Sequence, residues 1–212
     1  MRYLLLFGSL FLSLFSHDVW IVPDQNGGTF HYGHLSPEAG EAKELPFDPS
    51  QVTYGCVTAS GETAKWSAGC DELVARFENG TWSKTFDGTQ KGSRARHPDA
   101  LTSWQSREIA CFIRRPLPGT PKGFALRPVD LAEAAIGKRL TVRATFDGKP
   151  LAHIPVAYFG SVRGETDADG FVNIRLRHPG IQQITTSYTT PNNDPAIDKT
   201  ITSYTLNFEV KQ

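Results

Sequence analysis

The sequence has almost no methionine, no net charge and no apolar run long enough to cross a membrane. It holds one Met among 212 residues, and 22 basic side chains balance 22 acidic ones. A neutral chain presents no strongly basic surface, which excludes nucleic-acid binding as a primary function. The longest apolar run, residues 3–15, is shorter than the roughly 20 residues that a membrane helix requires. We therefore expect no membrane span.

The motifs of the common enzyme classes are also missing. The chain contains no G-x-S-x-G, no H-E-x-x-H, no phosphate-binding loop and no dinucleotide fingerprint. It contains no C-x-x-C either, which excludes a zinc knuckle and a thioredoxin-type redox site. The sequence thus gives no reason to expect an enzyme, and any chemistry would have to come from a bound metal.

The first sixteen residues are typical of a secretory signal peptide. Met1 and Arg2 give a positive start, the apolar run follows, and Ser16 is a small residue at its end. We expect cleavage between Ser16 and His17, so that a soluble protein is exported to the periplasm. The mature chain would then begin with His17.

Three cysteines remain in the exported chain, and export favours one disulfide with one thiol left over. Pairing Cys56 with Cys70 closes a loop that the chain-entropy estimate values at about 3 kcal/mol. Pairing Cys70 with Cys111 is an open alternative.

Short segments of alternating apolar residues, separated by Gly and Pro, predict an all-β protein. Asn79-Gly80 predicts a hairpin turn between strands at 73–77 and 81–86. Asp130 as an N-cap, with Gly137 as the end, predicts one short helix. Residues 87–100 have low hydrophobicity and predict a mobile loop.

The spacing of the strands, with no alternation of strand and helix, indicates antiparallel β-sandwiches. We predict two such modules, of the Ig-like or transthyretin-like kind, with at most one short helix. An N-terminal β-domain with a candidate metal site covers 17–136, and a C-terminal sandwich covers 137–212.

Two segments resemble a known family. HDVWIVP directly after the signal peptide, followed by FHYGH, is similar to the DUF4198 domain family, often labelled a nickel or cobalt transport periplasmic component. The distal stretch from LTVRATFDGKPL to HPG is similar to the second half of that family, a transthyretin-like or Ig-like module. The resemblance implies periplasmic handling of a divalent transition metal, most of all nickel, with cobalt as an alternative; copper is a further alternative on the chemistry of nitrogen ligands. Because no membrane span is expected, this role would require a separate membrane metal transporter as partner.

The resemblance also points to metal ligands. His17 matches the family's first mature histidine, and His34 matches the histidine of its Gly-His element. The free amine and imidazole of His17 would form a nitrogen chelate, which suits nickel, copper, zinc and cobalt. His31 is a candidate third ligand, since a bend at Gly33 could bring it to the same side as His34.

Other residues have weaker claims to the site. Asp18 and Glu38 could orient a ligating imidazole, whereas His97, His153 and His178 are expected to be solvated loop residues.

Two other functions fit the same sequence. A copper protein could use the same terminal histidine for oxidative chemistry, and a carbohydrate-binding or adhesion module would need no metal. The copper protein would need a flat substrate surface of exposed aromatic rings, whereas burial in the sandwich core is the simpler expectation for the tryptophans. The four in question are Trp20, Trp66, Trp82 and Trp104.

Overall fold

A computed structural model describes residues 18–35, 42–119 and 122–210. These residues confirm the all-β class: they form strands and two short 3₁₀ turns, with no α-helix among them. In chain order the strands are β1 (Asp18–Asp24), β2 (Gly27–Leu35), β3 (Ala42–Glu44), β4 (Val52–Thr58), β5 (Gly61–Thr63), β6 (Glu72–Thr85), β7 (Gly88–Lys91), β8 (Thr102–Ile113), β9 (Phe124–Pro128), β10 (Arg139–Phe146), β11 (Lys149–Pro150), β12 (Pro155–Tyr158), β13 (Ser161–Glu165), β14 (Phe171–Arg175), β15 (Gly180–Pro191) and β16 (Lys199–Val210).

The strands are arranged in three sheets. A small antiparallel sheet has the order β1-β2-β3, and a second has the order β11-β10-β14 with β9 paired to β10. The largest sheet has the order β13-β12-β15-β16-β8-β6-β4-β5, with β7 paired to β6. Its β8–β16 pair is parallel, so this sheet is mixed rather than purely antiparallel as predicted.

The large sheet joins strands from both sides of the predicted boundary at residue 136. β8 lies before that position and β16 after it, and nine registered residue pairs connect them. The two halves are therefore linked by backbone hydrogen bonds as well as by the chain.

Each face of the large sheet is covered by one of the smaller sheets. Alternation in β8 sends Ala110 and Phe112 to one face and Cys111 and Ile113 to the other. The first face packs on the β1–β2–β3 sheet, and the second packs on β9, β10 and β14. The result is a three-layered arrangement with a hydrophobic core on each side of the central sheet.

Asn79-Gly80 does not form the predicted turn. It lies inside β6, whose 14 residues continue along β8, and the pairing register shifts between Glu78 and Gly80. Asn79 is the extra residue of this β-bulge. Gly80, which follows it, has a positive φ of 86°, a conformation that glycine adopts readily. Pairing with β8 on both sides of the bulge keeps the chain from reversing.

The predicted helix is reduced to one 3₁₀ turn, Leu131–Glu133. Asp130 occupies the predicted N-cap position, but its side chain makes no capping hydrogen bond. The predicted loop at 87–100 contains β7, and Arg94 fastens it to Asp198 through two hydrogen bonds of 2.9 Å. No helix among the described residues has the length and apolar character needed to span a membrane.

Candidate metal centre

Two of the three predicted ligands lie on one hairpin. β1 and β2 are antiparallel and joined by a two-residue turn at 25–26. The register places Trp20 opposite His31 and Asp18 opposite Gly33. His17, the third predicted ligand, lies outside the described residues together with the predicted signal peptide, and so does Glu38.

His31 is held by contacts on two sides. Its ring stacks on the buried ring of Trp20, with centroids 5.2 Å apart and planes 10° from parallel. Its Nδ1 lies 2.8 Å from Glu44 Oε1. Because an ionised carboxylate only accepts, Nδ1 carries the hydrogen, and in the neutral imidazole Nε2 then keeps the lone pair. This carboxylate–imidazole pair is the arrangement that usually orients a ligating histidine.

His34 is exposed and lies near the start of β1. It pairs with Lys43 of β3 in the register, one residue after Gly33. Its charge is close enough to Asp18 to lower the pKa of that carboxyl. His34 therefore lies beside the residue that directly follows His17 in the sequence.

Gly33 separates the two histidines and cannot be replaced without a clash. Its φ is +148°, and a Cβ built on it would lie 2.1 Å from the carbonyl oxygen of Lys43. The ladders to β1 and β3 run through it without a bulge. Gly33 thus permits the close approach of β3. His31 contacts Trp20 and Glu44, whereas His34 lies near Asp18.

Asp18 is the predicted orienting residue that the structure describes. Burial raises the pKa of its carboxyl to about 6, against the lowering effects of His34 and Gln183. Gln183 is fully buried, and neither atom of its amide makes a close hydrogen bond within the described residues.

A buried acid near Asp18 was not predicted. Glu108 of β8 is 4% exposed, and burial raises the pKa of its carboxyl to about 8, with hydrogen bonds from Ser203 and Ser106 opposing the rise. The charge of Asp18 adds to the increase. The sequence did carry a signal, because alternation places Glu108 on the same face of β8 as Ala110 and Phe112.

Among residues 18–35, 42–119 and 122–210, no three or more His, Cys, Asp or Glu side chains converge as a metal-binding group. The described part of the chain holds two of the three predicted ligands, His31 and His34. The donors it offers are imidazole nitrogens, which suit nickel, cobalt, copper and zinc.

The remaining histidines lie in connecting segments. His97 Nε2 is 3.1 Å from the carbonyl oxygen of Lys91. His153 has a positive φ of 57° in the loop after β11. His178 stacks on Tyr158, with centroids 5.9 Å apart.

The disulfide joins Cys56 and Cys70, which decides between the two predicted pairings. Cys111 is free and buried. Burial raises the pKa of its thiol to about 11, so it stays protonated at neutral pH and is unsuited to bind a metal as thiolate.

No family model, no curated protein and no solved structure matches this chain.

Proposed function

We propose that the protein binds one divalent transition metal in the periplasm, nickel first and cobalt as an alternative, as an accessory to a separate membrane metal transporter. The site would consist of the amine and imidazole of His17 and the imidazole of His34, with His31 as a third imidazole. The main support for this proposal is that the β1–β2 register brings His34 beside Asp18, the residue that follows His17.

The pairing of two distant sequence segments is the first support. Asp18 and Gly33 are fifteen positions apart in the sequence but directly opposite in the hairpin. His17 and His34 are the next residues outward from this pair in the sequence. A chain cleaved after Ser16 would therefore present its terminal amine next to the strand that carries His34.

The environment of His31 is the second support. A histidine on a strand surface has no need of both a stacked tryptophan and a carboxylate partner. Here Trp20 fixes the plane of the ring and Glu44 fixes its tautomer. Neither contact uses Nε2, so this nitrogen is suited to coordinate a metal.

The chemistry of the donors favours late transition metals over calcium or magnesium. Nitrogen ligands prefer nickel, copper, zinc and cobalt, and copper binds tightest in the usual order of affinities. Selection of nickel would therefore depend on supply or on the transporter rather than on affinity. Ligating nitrogens must be deprotonated, so affinity should fall as the pH drops through about 6.5.

The test compares the chain that begins at His17 with one that retains Ser16. Isothermal titration with nickel, cobalt, zinc and copper should give one site per chain for the first protein. The extra residue removes the free amine of His17, and we expect it to weaken binding at least about tenfold, comparable to losing one ligand interaction. Intact-mass analysis of the exported protein determines whether cleavage occurs after Ser16.

Variants separate this site from adventitious binding by other histidines. His34→Ala should weaken nickel affinity strongly, and His31→Ala should weaken it less. His97→Ala and His178→Ala are matched controls, since both are histidines in connecting segments, and their affinity should be unchanged. Equal nickel and copper affinity in wild type and His34→Ala would show that the proposed site is wrong.

A further inference from the structure

A second feature of the molecule is independent of the histidines. A cleft of about 420 Å³ lies between the β3–β4 connection and β6, open to solvent. Its lining is half aromatic and half polar. Such a mixture is typical of sites that bind small polar ligands on an apolar floor.

The aromatic part of the cleft is fixed in place. Phe77 contacts Tyr32 and Phe47 edge to face, with ring centroids 5.3 and 5.9 Å apart. Trp82 also lines the cleft and is only half-buried, and its indole N–H donates to the carbonyl of Asn79 at 3.1 Å. Phe77 and Tyr32 are buried beneath the cleft, so a ligand would meet the half-buried rings of Phe47 and Trp82. The packed floor under these rings lowers the entropic cost of binding.

The polar part of the cleft carries balanced charge. Asp48 accepts hydrogen bonds from the backbone N–H and the hydroxyl of Ser50, at 2.9 and 2.7 Å. These bonds, with Lys91 nearby, lower the pKa of the Asp48 carboxyl. Gln51 and Asn79 add two amide groups. One carboxylate and one ammonium cancel, so the cleft has no net attraction for a charged ligand.

We propose that this cleft binds one uncharged pyranose unit of a saccharide. The apolar face of a sugar ring packs on aromatic side chains, and its hydroxyl groups both donate and accept. The carboxylate of Asp48 accepts, the ammonium of Lys91 donates, and the amides of Gln51 and Asn79 do both.

The experiment titrates the metal-free exported chain with neutral cello-, malto-, manno- and chito-oligosaccharides, and with acidic oligogalacturonate. Binding is followed by tryptophan fluorescence and by calorimetry. At least one neutral saccharide should bind in the millimolar range or tighter, and more tightly than oligogalacturonate. Trp82→Ala should weaken that binding at least about tenfold, and Gln51→Ala should weaken it without affecting the fold.

Trp104→Ala is the matched control. Trp104 lies directly opposite Trp82 in the β6–β8 ladder and is also half-buried, but it does not line the cleft. The Trp104→Ala variant should bind the neutral saccharide as tightly as the wild type does. The proposal is overturned if no neutral saccharide binds at millimolar concentration, if oligogalacturonate binds tightest, or if Gln51→Ala and a folded Trp82→Ala both bind normally. Circular dichroism establishes folding of each variant.

Discussion

Replacing the buried Glu108 by glutamine should change how the stability of the protein depends on pH. The carboxyl is almost fully buried, and burial has the largest effect on its pKa. Burial therefore favours its protonated form and raises its pKa from 4.5 to about 8. Glutamine has nearly the same size and shape as the protonated acid, so it removes the ionisation while preserving the packing.

The magnitude and the sign follow from this pKa. Below pH 4.5 the acid is protonated in both the folded and the unfolded chain, and it adds no pH dependence. Between pH 4.5 and about 8 only the unfolded chain releases the proton, so the free energy of unfolding falls as the pH rises. Since one pKa unit is worth about 1.4 kcal/mol, the whole rise corresponds to at most about 5 kcal/mol.

Urea denaturation followed by tryptophan fluorescence, from pH 5 to pH 9, measures this effect. Glu108→Gln should match the wild type near pH 5 and exceed its stability by about 2–5 kcal/mol near pH 9. Glu209→Gln is the control, because Glu209 is an exposed residue of the neighbouring strand β16. Parallel stability curves for wild type and Glu108→Gln over this range would refute the reasoning.

Three further predictions concern the β1–β2 hairpin and the metal site proposed for it. Glu44→Gln should lower nickel affinity about 10- to 100-fold by calorimetry, whereas Glu62→Gln, which alters an exposed ion pair in β5, should not. Arg114→Ala should lower the free energy of unfolding in urea by about 2–3 kcal/mol, because its guanidinium donates to carbonyls of both the β1–β2 turn and the disulfide loop, the shortest at 2.6 Å. Gly33→Ala should lower the free energy of unfolding by about 1–3 kcal/mol, because the added Cβ would clash with the carbonyl oxygen of Lys43. Gly69→Ala, whose nearest neighbour is 3.8 Å away, should change it by less than about 0.5 kcal/mol, and equal effects of the two glycine variants would contradict the clash.

The local patterns of the sequence determined the class of the fold and many of its strands. Alternation at 140–146 predicted β10, and alternation at 204–210 predicted most of β16. Alternation works because one face of each strand must be buried, and that requirement is written in neighbouring residues. The histidines of the candidate site could be selected from the sequence as well, because histidine is a residue type that binds metals.

Only the tertiary structure decided which segments meet. Asn79-Gly80 has the residues of a turn, but pairing with β8 turned it into a bulge. The partner of Cys56 could not be chosen from spacing, because pairing depends on where two strands and a loop converge.

Within the candidate site, the sequence predicted His31 but not Glu44, the carboxylate that contacts its ring. Glu44 is thirteen residues away and reaches His31 because β3 pairs beside β2, close against Gly33. Glu108 shows the same division: its place on an apolar face could be read from alternation, but its raised pKa required the β1–β2–β3 sheet to cover that face. Short-range periodicity fixes which side of a strand a residue occupies, whereas burial, charge and partners arise from strands that are distant in the chain.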